Sequence, residues 1–71
     1  MKKQPILLKF GEKLQAERRK RKLSQEKLAE LADVHRNYIG MLERSERNPS
    51  QVHIEKIAKA LKMRVRDLVD L

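Results

Sequence analysis

Seventy-one residues, 39% of them charged, 39% hydrophobic and 3% aromatic, allow one small domain and no second. Cysteine is absent, which excludes disulfide staples and thiolate metal sites, so folding must rest on apolar packing, helped in so short a chain by a partner subunit. Eighteen Lys and Arg against ten Asp and Glu leave a formal charge of +8, which favours a polyanionic partner.

The opening stretch MKKQPILLKF sets Lys2 and Lys3 before an apolar run of only Ile6 to Leu8. That run is too short for a signal peptide or a membrane span, so a cytoplasmic chain with no membrane partner is expected. From there apolar residues recur at helical spacing, and period-two alternation is lacking. A first helix is predicted over residues 6–21, with Phe10 and Leu14 inward. Ser24 is placed to cap a second, whose inner face is Leu28, Ala29, Leu31 and Ala32. Lys27 stands where a capping box would put Glu or Gln. Asp33 and Val34 mark a short turn, and a third helix follows over residues 35–44.

SERNPS is a loop, because Pro49 restricts Asn48 to an extended conformation. Ser50 is placed to cap a fourth helix carrying Val52, Ile54, Ile57, Ala58 and Leu61 inward. A break is expected across residues 61–63, then a short last helix from Val65 with Leu68 and Val69.

Charge is unevenly spread. Residues 1–23 hold nine basic and two acidic side chains, residues 24–50 four and five, and residues 51–71 five and three. A basic flank beside a nearly neutral middle suggests that phosphates and base edges are met by different segments. The plainer alternative is that a basic run only solvates a helix. At about 100° per residue, Ile39, Leu42, His35 and Glu43 share one side of the third helix. Asn37, Gly40, Met41 and Arg44 share the other, flanked by Arg36 and Tyr38. A solvated face would carry Lys and Glu there, whereas this mixture suits contact with a surface. Gly40 needs a reason, since glycine inside a helix costs about 1 kcal/mol relative to alanine.

The segments LSQEKLAELADVHRNYIGMLERSERNPS and IEKIAKAL, at their spacing, resemble the phage repressor and Cro-like helix-turn-helix proteins, the XRE family, over Phe10 to Leu71. VHRNYIGMLERSERNPS is most similar to the controller proteins that time restriction-modification operons. The resemblance implies an all-α, compact five-helix bundle, a lambda repressor-like DNA-binding domain. Residues 1–71 form one unit with its core over 10–71 and the helix-turn-helix over 24–44, and the third helix enters the major groove.

By position, the resemblance gives Gln25 a phosphate and turns Arg36, Asn37 and Met41 to base edges. Arg can present two donors to guanine O6 and N7, Asn can pair both ways with adenine, and Met makes soft apolar contact. Gly40 lies between them on the groove-facing side, where a side chain would obstruct approach; simple tolerance of a small exposed residue is the alternative. Tyr38, Arg44, Arg47 and Asn48 match positions near the sugar-phosphate backbone, which position rather than read. For Arg47 a solvated loop, and for Tyr38 packing against the second helix, are competing readings. Arg18 and Glu43 match a partly buried structural ion pair.

The chain departs from the family pattern at Asp33 and Lys62, often Gly, and at Arg64, often Ser or Asp. Asp tolerates a left-handed turn by bonding locally. Lys62 and Arg64 are expected to lose a helix stop and an N-cap, and to add charge with Arg66 near a dimer surface.

No enzyme, cofactor or metal is expected. His35 and His53 stand 18 residues apart without further ligands, and no nucleophile motif or Gly-rich phosphate loop accompanies them. The apolar face of the first helix is too narrow for membrane binding, and scarce aromatics argue against stacking on unpaired RNA bases. The resulting expectation is a homodimeric transcription regulator on double-stranded DNA with a (pseudo)palindromic operator, RNA polymerase being a further partner the resemblance leaves open. The competing reading is an antitoxin whose framework mainly grips a toxin.

Overall fold

A computed structural model describes residues 5–71, so Lys2 and Lys3 of the opening stretch lie outside the described residues. The described chain forms five helices: α1 Pro5–Lys20, α2 Gln25–Ala32, α3 Arg36–Glu43, α4 Gln51–Ala60 and α5 Val65–Leu68. Pro5 opens α1, where its fixed φ suits the first helical position and its missing N–H is no loss. Ser24 Oγ accepts from the Lys27 N–H at 2.9 Å, and Ser50 Oγ from the His53 N–H at 3.1 Å, which satisfies donors that helix starts leave orphaned. His35 is not a helical residue of α3 but its cap: its Nδ1 accepts from the Asn37 N–H at 3.1 Å. Arg64 makes no side-chain cap bond, and α5 is only four residues long.

Neither glycine ends a helix. The first four helices stop instead at Lys22, Asp33, Ser45 and Lys62, all with φ between 56° and 63°. Left-handed backbone costs a residue with a Cβ roughly 1–2 kcal/mol. The following N–H recovers part of it by reaching back to a carbonyl inside the helix, as Met63 does to Ala58 at 2.8 Å and Val34 to Ala29 at 3.0 Å. Lys62 therefore keeps the helix stop that its departure from glycine was expected to lose.

Leu14, Leu28, Ile39, Leu42, Ile57, Leu61 and Leu68 are fully buried, and Phe10 and the alanines of α2 and α4 close the core around them. α1 crosses α3, and α2 lies against α3 and α4. Two residues expected inward are exposed, Leu31 and Val52. Leu28, Ala29 and Ala32 centre the buried stripe of α2, and Leu31 projects roughly 100° from that centre at 100° per residue. Val52 faces away from Ile54, Ile57 and Ala58 for the same reason. Hydrophobicity places both inside; angle places both outside.

Gly11 holds the α1–α3 crossing together. A Cβ there would stand 2.8 Å from the carbonyl oxygens of both Leu42 and Glu43, which are backbone and cannot turn aside. Beside it Ser45 Oγ donates to the Leu7 carbonyl at 3.0 Å, tying the end of α3 to the start of α1.

Candidate nucleic-acid interface

The turn at Asp33, with the caps Ser24 and His35 on either side, sets the starts of α2 and α3 next to each other. Beneath them lies a buried charge knot. Arg18 donates from Nε to Glu43 Oε2 at 2.7 Å and from Nη2 to Oε1 at 3.0 Å, a two-pronged pair, and from Nη1 to the Leu23 carbonyl at 2.8 Å. The two side chains are 10% and 1% exposed. Gln25 and Gln15 add amide donors to Glu43 Oε1 at 3.1 and 3.4 Å. Burial pushes the Glu43 carboxyl upward, but the Arg18 and Gln25 hydrogen bonds, the Arg18 charge and Gln15 outweigh it, holding the group below the usual carboxylate range. The same bonds raise the Arg18 guanidinium. Gln25, expected to face phosphate, thus has its amide nitrogen committed inward.

Above the knot, Gln25, Arg36, Asn37, Gly40 and Arg44 line one notch of about 280 Å³, together with Glu26. Arg36 and Asn37 are exposed at the first turn of α3. Arg36 Nη1 donates to Glu26 Oε2 at 3.0 Å, both side chains lying largely in solvent. Such a pair is worth roughly 0–1 kcal/mol and releases its guanidinium readily.

Gly40 is buried, which corrects the open position expected of it. Arg44 covers it: a Cβ would meet Arg44 Nη1 at 2.9 Å and Gln25 Oε1 at 3.5 Å. Gly40 is therefore the floor of the notch, and the far end of Arg44 is its movable cover. Arg44 Nε also donates to Glu46 at 3.1 Å.

The remaining candidates lie outside the notch. Met41 is half-buried beyond it, and Arg47 and Asn48 are exposed on the loop after α3. Tyr38 is half-buried, packed against the core cluster that includes Leu28, Ala29 and Ala32 of α2. Its ring tilts against His53 of α4 with centroids 4.5 Å apart, and the Arg47 guanidinium lies over the Tyr38 ring, 6.0 Å from its centroid. His53 Nδ1 is buried without a hydrogen-bond partner among the described residues, so its ring serves as packing for Tyr38. Glu26, His35 as a cap, Gln15 and His53 escaped the sequence reading. Only Ser24 at the start of α2 gave a signal that residues 25 and 26 would open that helix.

Among the described residues no group of three or more His, Cys, Asp or Glu could hold a metal ion, and no helix is long and apolar enough to cross a membrane. What the surface offers is hydrogen-bond donors and cations at two adjoining helix starts, a surface suited to a grooved polyanion.

Comparison with known proteins agrees. Residues 14–68 match the protein-family model described as Helix-turn-helix. The control protein C.BamHI of Bacillus amyloliquefaciens is 50% identical over 66 residues, spanning 92% of this chain and 82% of that protein. The crystal structure of the restriction-modification controller protein C.AhdI from Aeromonas hydrophila is similar with a TM-score of 0.86 at 47% identity, covering 87% of this chain and 94% of that one. A crystal structure of SinR, the master regulator for biofilm formation, in complex with DNA gives a TM-score of 0.82 at 32% identity, over 86% of this chain and 98% of that one.

Proposed function

Since this chain belongs to the helix-turn-helix family of DNA-binding transcription regulators, we propose that it acts as a cytoplasmic homodimer controlling a restriction-modification operon, its own promoter included. Residues 1–71 serve as one DNA-binding domain. Two copies of α3 enter successive major grooves of a (pseudo)palindromic operator, with half-sites about 34–36 Å apart. Arg36 leaves Glu26 and reads guanine, Asn37 reads adenine, and Met41 makes apolar contact. Gly40 admits them by keeping the floor of the notch low. Arg44, Tyr38, Arg47, Asn48 and the start of α2 at Gln25 hold the sugar-phosphate backbone.

The observation that carries this reading is the exposure of Arg36 and Asn37 together on the first turn of α3, above a knot that fixes α3 against α1. Dimerisation is supported by an apolar patch elsewhere: exposed Ile6, Val69 and Leu71 line one groove with Phe10 of α1 and Ile54 of α4. Covering that patch would supply the burial that so short a chain lacks. A footprint on the DNA upstream of the gene tests all parts at once. Two protected half-sites related by a dyad support the proposal; no protection, or a single half-site at saturating protein, refutes it.

A further inference from the structure

An open cleft of about 810 Å³ runs between the C-terminal ends of α2 and α4. It shares no lining residue with the notch or with the apolar groove beside Ile6, Ile54 and Leu71. Its floor is apolar, made by Leu23, Ala32, Ala60 and Leu61, and Leu31 stands at its wall with half its surface in solvent.

Its rim is cationic. Arg21, Lys56, Lys59 and Lys62 surround the floor, against a single carboxylate, Asp33, which lies 3.9 Å from Lys56. Arg21 is already held in place, its Nε donating to the Leu61 carbonyl at 2.7 Å and its Nη1 to Glu17 at 2.6 Å. Lys59 and Lys62 have no acidic partner among the described residues. Lys62, expected to add charge near a dimer surface, lines this cleft.

Neither polyanion nor second copy fits these features well. Phosphate gains nothing from an apolar floor and an exposed leucine, and the apolar groove suited to self-association is lined by other residues. Apolar floor and cationic rim together match an acidic segment with apolar anchors. We propose that this cleft is a docking site for an acidic amphipathic segment of another protein, its leucine-like anchors on Leu31 and the floor, its carboxylates on Lys59, Lys62 and Arg21. The inference does not depend on the DNA-binding role.

The test uses isotope-labelled full-length protein and a short synthetic peptide with leucines at helical spacing and glutamates between them. A control peptide keeps the glutamates and replaces the leucines by serine. The expected result is saturable binding with amide shifts confined to residues 21–23, 31–33 and 56–62. Leu31→Ser alone, and Lys59→Glu with Lys62→Glu, should each weaken it about tenfold, and the control peptide should not bind. Circular dichroism checks that these exposed variants fold. Equal binding of the control peptide, or shifts spread over α1 and α3, would reduce the effect to diffuse charge attraction and overturn the proposal. A change of sedimentation mass in Leu31→Ser would assign the cleft to a second copy, and would overturn it too.

Discussion

Two regions of this small molecule are assembled from the same parts, an Arg–Glu pair and a glycine inside a helix. In the seam between α1 and α3 these are Arg18–Glu43 and Gly11; in the notch between α2 and α3 they are Arg36–Glu26 and Gly40. The pairs are nearly equal in length, 2.7 and 3.0 Å, yet one is buried and supported by two glutamines while the other lies in water. The glycines divide the same way: a Cβ at Gly11 strikes backbone, a Cβ at Gly40 the mobile end of one arginine. Contact geometry alone would call the regions alike. What surrounds the contact makes one a rigid joint and leaves the other free to exchange partners.

The comparison is broken hardest at Glu43. Glu43→Ala leaves a buried guanidinium unpaired and should lower unfolding free energy by about 3–5 kcal/mol, read from urea denaturation. An unaltered midpoint would deny the seam its structural role. Acid tests the same carboxylate without mutation. Its folded value is depressed, so its stabilising contribution is complete above the ordinary carboxylate range, near 4.3, and is lost as pH falls through the lower folded value. The gap in stability between the native chain and Glu43→Gln should shrink steadily below that range; a gap that stays constant with pH would contradict the assignment.

The glycines should then part company. Gly11→Ala must push helix backbones apart and should cost about 1–3 kcal/mol. Gly40→Ala should be neutral or stabilise by up to about 1 kcal/mol, because Arg44 can swing away. Equal melting temperatures in the two variants would erase the distinction. The smallest effect belongs to the exposed pair: Glu26→Gln should change stability by less than about 0.5 kcal/mol. A larger loss would make the notch as structural as the seam.

Much of this was legible in the sequence. Helix periodicity, the serines at 24 and 50 and the prolyl restraint at Pro49 located all five helices, because each signal is local. Arg18 with Glu43 was legible only through resemblance, since residues 25 apart in sequence announce no contact. The misplaced residues share a cause. Leu31 and Val52 were assigned by hydrophobicity where angular position decides, and Gly40 was taken as open because nothing local says that Arg44 folds back over it. Gly11 passed unnoticed, a close approach of two helices having no sequence sign beyond a small residue. The ends of α1, α3 and α4 were expected close to where they fall, but the left-handed backbone at Lys22, Ser45 and Lys62 was hidden, because lysine and serine are not the residues it favours.

The division of labour between seam and notch is tested most directly by Arg36→Ala, measured against operator and random DNA at one salt concentration. Affinity for the operator should fall and the preference over random DNA should shrink by about 1–3 kcal/mol, with the melting temperature unchanged. Equal losses on both DNAs would make Arg36 a phosphate contact, and a lowered melting temperature would place it in the framework; either result would contradict the account.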